Sequence, residues 1–139
     1  MAPMAPTLPT LPVRLTPGSD LRAALIDTAR QHGWHAAFVI GGIGSLRRTR
    51  LRLAGRSNYL ERDDDTELLT LAGSLARDGA HLHASVADRD GQVIGGHLGP
   101  GCIIRTTAEI LVVELAGWQF GREPDPATGY DELVIRRGA

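Results

Sequence analysis

Apolar and polar residues alternate along much of this chain, which is the pattern of β-strands that bury one face and expose the other. The alternation predicts strands at residues 46–53, 67–75, 81–87, 92–98, 109–115 and 132–136, separated by turns rich in Gly and Asp. Residues 13–15 are expected to form a short first strand. Residues 36–40 are a continuous apolar run, which is typical of a strand buried on both faces. The chain is therefore expected to form a sheet of about seven strands.

One main helix is predicted near the start of the chain. Ser19 can cap its N-terminus and Gly33 can end it. The apolar positions between them recur at helical spacing: Leu21, Ala24, Leu25, Thr28 and Ala29. A second short helix is expected, but the pattern does not place it. The fold class is therefore α/β, with helix and sheet in one α+β domain.

One glycine-rich segment lies within this domain, and one proline-rich segment precedes it. The Gly-Gly-Ile-Gly-Ser run at residues 41–45 predicts a tight turn, because a phosphate-binding loop would need a helix after it and a strand pattern follows instead. Prolines at every third position from Pro3 to Pro12 predict an extended, flexible arm at residues 1–12. A proline-recognition ligand is the alternative for this arm. The domain itself is expected at residues 13–139.

Composition excludes several classes of protein. The chain has 139 residues, 42% hydrophobic and 4% aromatic, which predicts one domain with an aliphatic core. It lacks an apolar run long enough to cross a membrane, so no membrane association is expected and a cytoplasmic location follows by default. Cys102 is the single cysteine and is expected to be a core residue, with metal binding as an alternative. A net charge of −1 gives no general attraction to nucleic acid.

Three of the five histidines fall in one predicted hairpin. A three-residue turn of Arg89, Asp90 and Gly91 would pair the residues on either side of it and, by counting back, set His83 opposite His97. His81 would share their face, one diagonal step away. The other face of the hairpin is apolar, so the core does not need the histidines.

Directly opposed side chains in a sheet lie about 5 Å apart, so three imidazoles could converge on one ion. Three neutral His ligands and one open position are typical of an exchangeable or catalytic zinc site. The alternative is a polar strand face that happens to contain histidines. We predict that His81, His83 and His97 bind a divalent metal, with zinc as the expected ion.

Arginines alternate along the predicted strand that follows the glycine run. Arg48, Arg50 and Arg52 could contact phosphates of DNA from one strand face. They could also be a solvated face paired with the acidic residues at 63–65, which the balanced charge favours. They remain weak candidates for a DNA-binding surface.

An ordered series of motifs resembles the PPC (plant and prokaryote conserved) domain, in its branch of stand-alone prokaryotic proteins. The series comprises Gly-Ile-Gly-Ser-Leu at 42–46, Gly-Ala-His-Leu-His at 79–83 and Gly-Gly-His-Leu at 95–98, with further matches at 14–18, 67–75, 85–88, 107–110 and 129–133. The resemblance runs from about residue 13 to residue 135. It implies a mostly antiparallel sheet, assembly as a homotrimer, and metal ligands at the His-x-His and Gly-Gly-His positions. Plant members bind DNA through a basic Arg-Gly-Arg-Pro segment, which does not occur in these 139 residues.

Three alternatives remain open at this point. The first is a trimeric binding module with a three-His metal site, DNA-binding or regulatory by family resemblance, with weak binding to DNA at most. The second is a small metal-dependent enzyme acting on an unknown small substrate. Glu109 is a weak candidate for its acid or base, because it opens a strand near the glycine-rich end of the hairpin. A metal that only stabilises the trimer is a third alternative.

Overall fold

The structure is a computed structural model that describes residues 8–138. Across those residues it contains one α-helix, α1 (Leu21–Gln31). The strands are β1 (Thr10–Leu15), β2 (Ala37–Arg52), β3 (Tyr59–Arg62), β4 (Thr66–Ala76), β5 (Gly79–Ala87), β6 (Val93–Leu98), β7 (Ile103–Glu114), β8 (Trp118–Pro124) and β9 (Asp131–Arg137). The predicted fold class, a mostly antiparallel sheet of seven strands with one main helix, is confirmed. The second helix that we expected is not found within residues 8–138.

Seven strands form the main sheet, and every pair in it is antiparallel. The order is β1-β7-β2-β4-β5-β6, with β3 paired to one end of β2. The strand predicted at residues 132–136 is present as β9, but it pairs with β8 in a separate two-stranded sheet. We had placed it in the main sheet and had not predicted β8. Strand β8 is only partly buried, so its sequence carries little hydrophobic alternation.

Strand β2 corrects two predictions. Residues 41–45 do not form a turn but continue a strand of 16 residues. Its glycines permit close strand packing, since a Cβ on Gly44 would lie 2.8 Å from the Cα of Ala108 on β7. Irregularities after Val39, Gly44 and Leu46 adjust the register with β7. The start of β2 is also not buried on both faces, because Ile40 is 56% exposed.

The first strand begins three residues earlier than predicted, at Thr10. Residues 10–12 were expected to belong to the extended arm. Pro12 is tolerated in β1 because β1 is an edge strand of the sheet, where one row of backbone groups has no partner strand. Pro3 and Pro6 lie outside the described residues.

Helix α1 covers one face of the sheet. Its N-cap is Asp20 and not Ser19, because Oδ1 of Asp20 accepts a hydrogen bond of 3.0 Å from the backbone N–H of Ala23. Leu21 and Leu25 are fully buried beneath the helix, and each contributes about 1.5–3 kcal/mol through the apolar surface removed from water. With 11 residues α1 is too short to cross a bilayer, and the part of the chain described here contains no longer helix.

The two faces of the sheet therefore differ. The helix-covered face carries the aliphatic core, which includes Leu82, Val86 and Leu98 from the hairpin. The opposite face, which we call the outer face, carries large exposed apolar side chains on β2, β4 and β7: Phe38, Ile40, Ile43, Leu69 and Leu111. The histidines of β5 and β6 lie on this outer face. His81 pairs with Ser74 on β4, and Ser74 pairs with Phe38 on β2, so these three side chains share one face of the sheet.

Candidate metal centre

The β5–β6 turn fixes the register of the histidines. The backbone N–H of Asp88 donates to the carbonyl of Gln92, and that of Gly91 donates to the carbonyl of Asp88, both at 3.0 Å. Gly91 has a φ of +77°, the left-handed conformation that this turn requires. The Asp88 carboxylate accepts from the backbone N–H groups of Gln92 and Asp90 at 2.9 Å, and the bond from Gln92 is the main reason its pKa is lowered. The predicted turn is confirmed.

The predicted register is also confirmed. His83 pairs with His97, and Val86 pairs with Ile94. His81 is two residues before His83 and so shares its face, while the intervening Leu82 points into the core. The alternation of the strand therefore brings all three imidazoles together on the outer face.

The three rings form one compact cluster. One ring nitrogen from each of His81, His83 and His97 can be chosen so that all three lie within 4.8 Å of one another. The rings of His81 and His97 are stacked, with centroids 5.2 Å apart. The ring of His83 stands edge-on to both of them. His81 and His83 are exposed and His97 is half-buried, so the cluster is open to solvent on one side.

Two of the three spacings between ring nitrogens fit a metal ion. A tetrahedral ion with nitrogen ligands at about 2.0–2.1 Å holds those ligands about 3.3 Å apart. The Nε2 atoms of His81 and His83 each lie 3.2 Å from Nδ1 of His97. A neutral His97 offers one lone pair or one proton at Nδ1, so it cannot form a full hydrogen bond with both partners. The cluster therefore fits a set of ligands better than a hydrogen-bonded network.

Burial and nearby positive charges favour the neutral imidazoles that a metal needs. The pKa of His81 is lowered, first by burial and then by the positive charge of Arg122. The pKa of His97 is also lowered, first by burial and then by Arg52. The carboxylate of Glu132 on β9 acts on His81 in the opposite direction. The net effect keeps both rings in the form that donates a lone pair.

Three arginines surround the cluster. Arg52 on β2 is directly opposite His97 in the pairing of β2 with β6. Arg22 on α1 donates to the carbonyl of Ala80, which precedes His81, at 3.2 Å. Arg122 on β8 donates to Oγ of Ser74, the β4 partner of His81. Sequence reasoning missed Arg22, Arg122 and Glu132, because nothing in their local patterns indicates that the helix and the second hairpin approach the histidines.

The remaining candidates lie elsewhere. Glu109 is not at the start of a strand but within β7, three strands away from β5, and is exposed between Arg14 and Ile43. It does not join the histidine cluster.

Cys102 is fully buried, and its thiol exchanges hydrogen bonds with the backbone of Arg50. Burial raises the pKa of this thiol to about 11, so Cys102 is a core residue and not a ligand of the cluster.

Arg48 and Arg50 are paired with acidic side chains. Arg48 lies 3.4 Å from Asp63 and 3.7 Å from Glu61, and Arg50 donates to Glu61 at 2.8 Å. The pKa of Glu61 is lowered, mainly by this hydrogen bond from Arg50. The alternative of a solvated, ion-paired face therefore describes two of the three arginines, with Glu61 as a partner that we had not predicted. Arg52 makes no such pair within residues 8–138.

The comparison with known families agrees with this architecture. The profile of the Plants and Prokaryotes Conserved (PCC) domain, the family called PPC above, matches residues 4–116. The chain belongs to this family. The match includes all three histidines and ends before β8.

Individual relatives of this PPC-domain protein extend the comparison. The bifunctional protein GlmU of Synechococcus sp. (strain JA-2-3B'a(2-13)) is 49% identical over 135 residues, which cover 96% of this chain and 21% of that protein. The chain thus spans about a fifth of the length of this curated relative. A hypothetical protein from Salmonella enterica has a solved structure with a TM-score of 0.91 and 37% identity, covering 96% of this chain and 97% of that one.

Two further solved structures share the fold. A metal-containing protein from Archaeoglobus fulgidus has a TM-score of 0.78 and 25% identity, covering 96% of this chain and 99% of that one. A protein from Bacteroides thetaiotaomicron, described as a candidate DNA-binding protein, has a TM-score of 0.79 and 20% identity, covering 90% and 91%. Because the identity to the Bacteroides thetaiotaomicron protein is only 20%, that similarity concerns the fold alone.

Proposed function

We propose that this PPC-domain protein is a metal-binding module in which His81, His83 and His97 hold one divalent ion, with zinc as the expected metal. The observation that carries the proposal is the convergence of three ring nitrogens on one point of a strand face that the core does not use. Three imidazoles suit zinc and leave a fourth position open. The metal-containing relative from Archaeoglobus fulgidus supports the proposal.

The module is expected to work as a homotrimer. The five apolar side chains of the outer face are between 38% and 56% exposed. An apolar patch of this kind is typical of a surface that a partner subunit covers. The patch shares its sheet face with the histidines, so a partner on β2 and β7 would lie beside the metal centre. This is the arrangement that the family resemblance implies.

DNA binding is the less favoured part of the proposal. Arg48 and Arg50 are already neutralised by Glu61 and Asp63, and the chain has a net charge of −1. A phosphate contact by Arg48 or Arg50 would therefore require an existing ion pair to be broken. We expect weak binding to DNA at most.

A metal-dependent enzyme acting on a small molecule is the second candidate. A cleft of about 380 Å³ next to the histidines favours it, because such a cleft could hold a substrate beside the metal. The ion would supply a Lewis acid at its open position. Glu109, the acid or base proposed from the sequence, lies three strands away on β7 and could not serve this cleft.

Single substitutions of the ligands test the metal proposal. His81→Ala, His83→Ala and His97→Ala should each sharply reduce the zinc retained after dialysis, measured by plasma mass spectrometry. His32→Ala and His35→Ala are matched controls that should keep the metal. His32 caps α1 and stacks on Trp34, and the carbonyl of His35 binds the backbone of Phe120, so neither belongs to the cluster. Full occupancy in all three ligand variants would refute the proposal.

A further inference from the structure

The cleft beside the histidines has an unusual lining of charges. Two of the three cluster histidines form one wall, and the guanidinium groups of two arginines lie near them. The lining includes the side chains of Arg22, Arg52, Tyr59, His81, His97 and Pro100. No carboxylate lines the cleft among residues 8–138. The positive charges of Arg22 and Arg52 are therefore not neutralised by a side chain that lines the cleft.

Strand pairing places Arg52 at the edge of the metal centre. Tyr59 on β3 is opposite Arg52, and Arg52 is opposite His97, which in turn is opposite His83. These four side chains form one row across four strands, on the same face. Neighbouring strands lie about 4.8 Å apart, so the side chain of Arg52 is long enough to reach the histidines from its strand.

Arg52 also retains most of its hydrogen-bonding capacity. Its NH1 group donates to the carbonyl of Arg56 at 3.2 Å, and it makes no ion pair within the described part of the chain. A guanidinium has five N–H donors, so several remain available to a ligand. Arg48 and Arg50 on the same strand are both paired with carboxylates, and this difference sets Arg52 apart.

Arg22 approaches the same cleft from the helix. Its half-buried side chain is held by the carbonyl of Ala80, next to His81, through the NH2 group. It too makes no ion pair among residues 8–138, whereas Arg30 on the same helix pairs with Asp27. The two guanidinium groups thus border the cleft from two different elements.

We propose that Arg52 and Arg22 make this cleft a binding site for a small oxyanion, a molecule that carries a carboxylate or phosphate group. Planar guanidinium groups bind such groups through paired, charge-assisted hydrogen bonds. The cleft volume is near the lower end for small-molecule pockets, which fits a compact ligand better than a nucleic acid strand. This inference deepens the proposed function and rests on it for the role of the ligand, since the cleft shares His81 and His97 with the metal centre.

Calorimetric titration of the intact protein tests this proposal. Inorganic phosphate and acetate are the two probes, and acetamide is the neutral analogue of acetate. We expect saturable binding of at least one anion and none of acetamide. The relative affinities of phosphate and acetate show which oxyanion the site prefers. Titrations are made with zinc-loaded protein and with protein stripped of metal by a chelator.

Arginine variants assign the binding to the cleft. Arg52→Gln and Arg22→Gln should each weaken anion binding about tenfold or more, because each removes a charge-assisted hydrogen-bond donor. Arg52→Lys keeps the charge and should bind with intermediate affinity. Arg47→Gln is the matched control, since Arg47 is exposed on β2 and does not line the cleft, and its affinity should equal that of the wild type.

The outcomes separate this inference from the metal proposal. Zinc content should be the same in the arginine variants and in the wild type. Zinc-loaded protein that binds neither anion, or binds them equally well after Arg52→Gln and Arg22→Gln, would overturn the inference alone. Protein that takes up no zinc would overturn the metal proposal. Arginine-dependent anion binding in that metal-free protein would still support the cleft.

Discussion

Gly96 connects the packing of the sheet to the metal centre, and its replacement by alanine should damage both. It lies on β6 next to His97, where β6 approaches β2. A Cβ at this position would lie 2.7 Å from the carbonyl oxygen of Arg52, about 0.7 Å closer than ordinary van der Waals contact allows. The obstacle is backbone and not the end of a flexible side chain. Gly96→Ala must therefore push the two strands apart.

The size of the effect follows from this displacement. Overpacking of this kind costs about 1–3 kcal/mol of stability, which for a domain of this size lowers Tm by roughly 3–15 °C. A metal–ligand distance tolerates only about 0.2 Å of error, so a shift of several tenths of an ångström at His97 should weaken zinc binding. Loss of correct ligand orientation typically costs about 10–100-fold in affinity.

Two measurements and one control test the Gly96 prediction. Thermal unfolding of metal-free protein by circular dichroism gives Tm, and competition with a chromophoric chelator gives the Kd for zinc. Gly79→Ala is the matched control, because Gly79 precedes His81 by two residues and a Cβ there has nothing within 4 Å. If Gly96→Ala matched Gly79→Ala in both Tm and Kd, the argument from close strand approach would be wrong.

Three further predictions follow from the same surfaces. Because the pKa values of His81 and His97 are lowered, zinc should still be retained at about pH 6.5, the ordinary pKa of histidine, and be lost only at lower pH. Metal-free protein should lose stability as the pH falls below about 6.5, because the unfolded histidines take up protons first. Equilibrium dialysis from pH 8 to 5 that shows constant zinc occupancy would contradict this. Sedimentation should give a trimer at micromolar concentration and a smaller species for Ile40→Glu, and a monomeric wild type would reject the trimer. Random DNA should bind weakly and lose affinity with salt, more so when Arg48, Arg50 and Arg52 are all replaced by alanine, whereas nanomolar binding to one sequence at physiological salt would show that we undervalue the family resemblance.

The candidate site could be predicted from the sequence because a local feature sets its register. The turn of Arg89, Asp90 and Gly91 fixes which residues of β5 and β6 face each other, and the period of two then assigns their faces. The chemistry around the site could not be predicted in the same way. Arg52, Arg22 and Arg122 are brought beside the histidines by β2, α1 and β8, and this long-range placement leaves no trace in local patterns.

The errors in the fold have a similar origin. Glycines usually interrupt strands, so the run at residues 41–45 predicts a turn, yet in β2 Gly44 lies where the backbone of β7 approaches too closely for a side chain. Pro12 predicted an extended arm, but its position in an edge strand removes the usual objection to proline. Asp20 and Ser19 are both good caps, and the hydrogen bond to Ala23 decides between them only in three dimensions.

The alternation of β5 has a consequence for how such a protein can change over time. The buried residues of β5 stabilise the domain, and these are Leu82, Ala84 and Val86. His81 and His83, at alternate positions of the same strand, contribute nothing to the core. Substitutions at the histidine positions are therefore expected to alter ligand preference with little loss of folding stability, and substitutions at the leucine and valine positions to do the reverse. A scaffold with its chemistry and its stability on alternate residues of one strand can acquire, exchange or abandon a metal centre while remaining folded throughout.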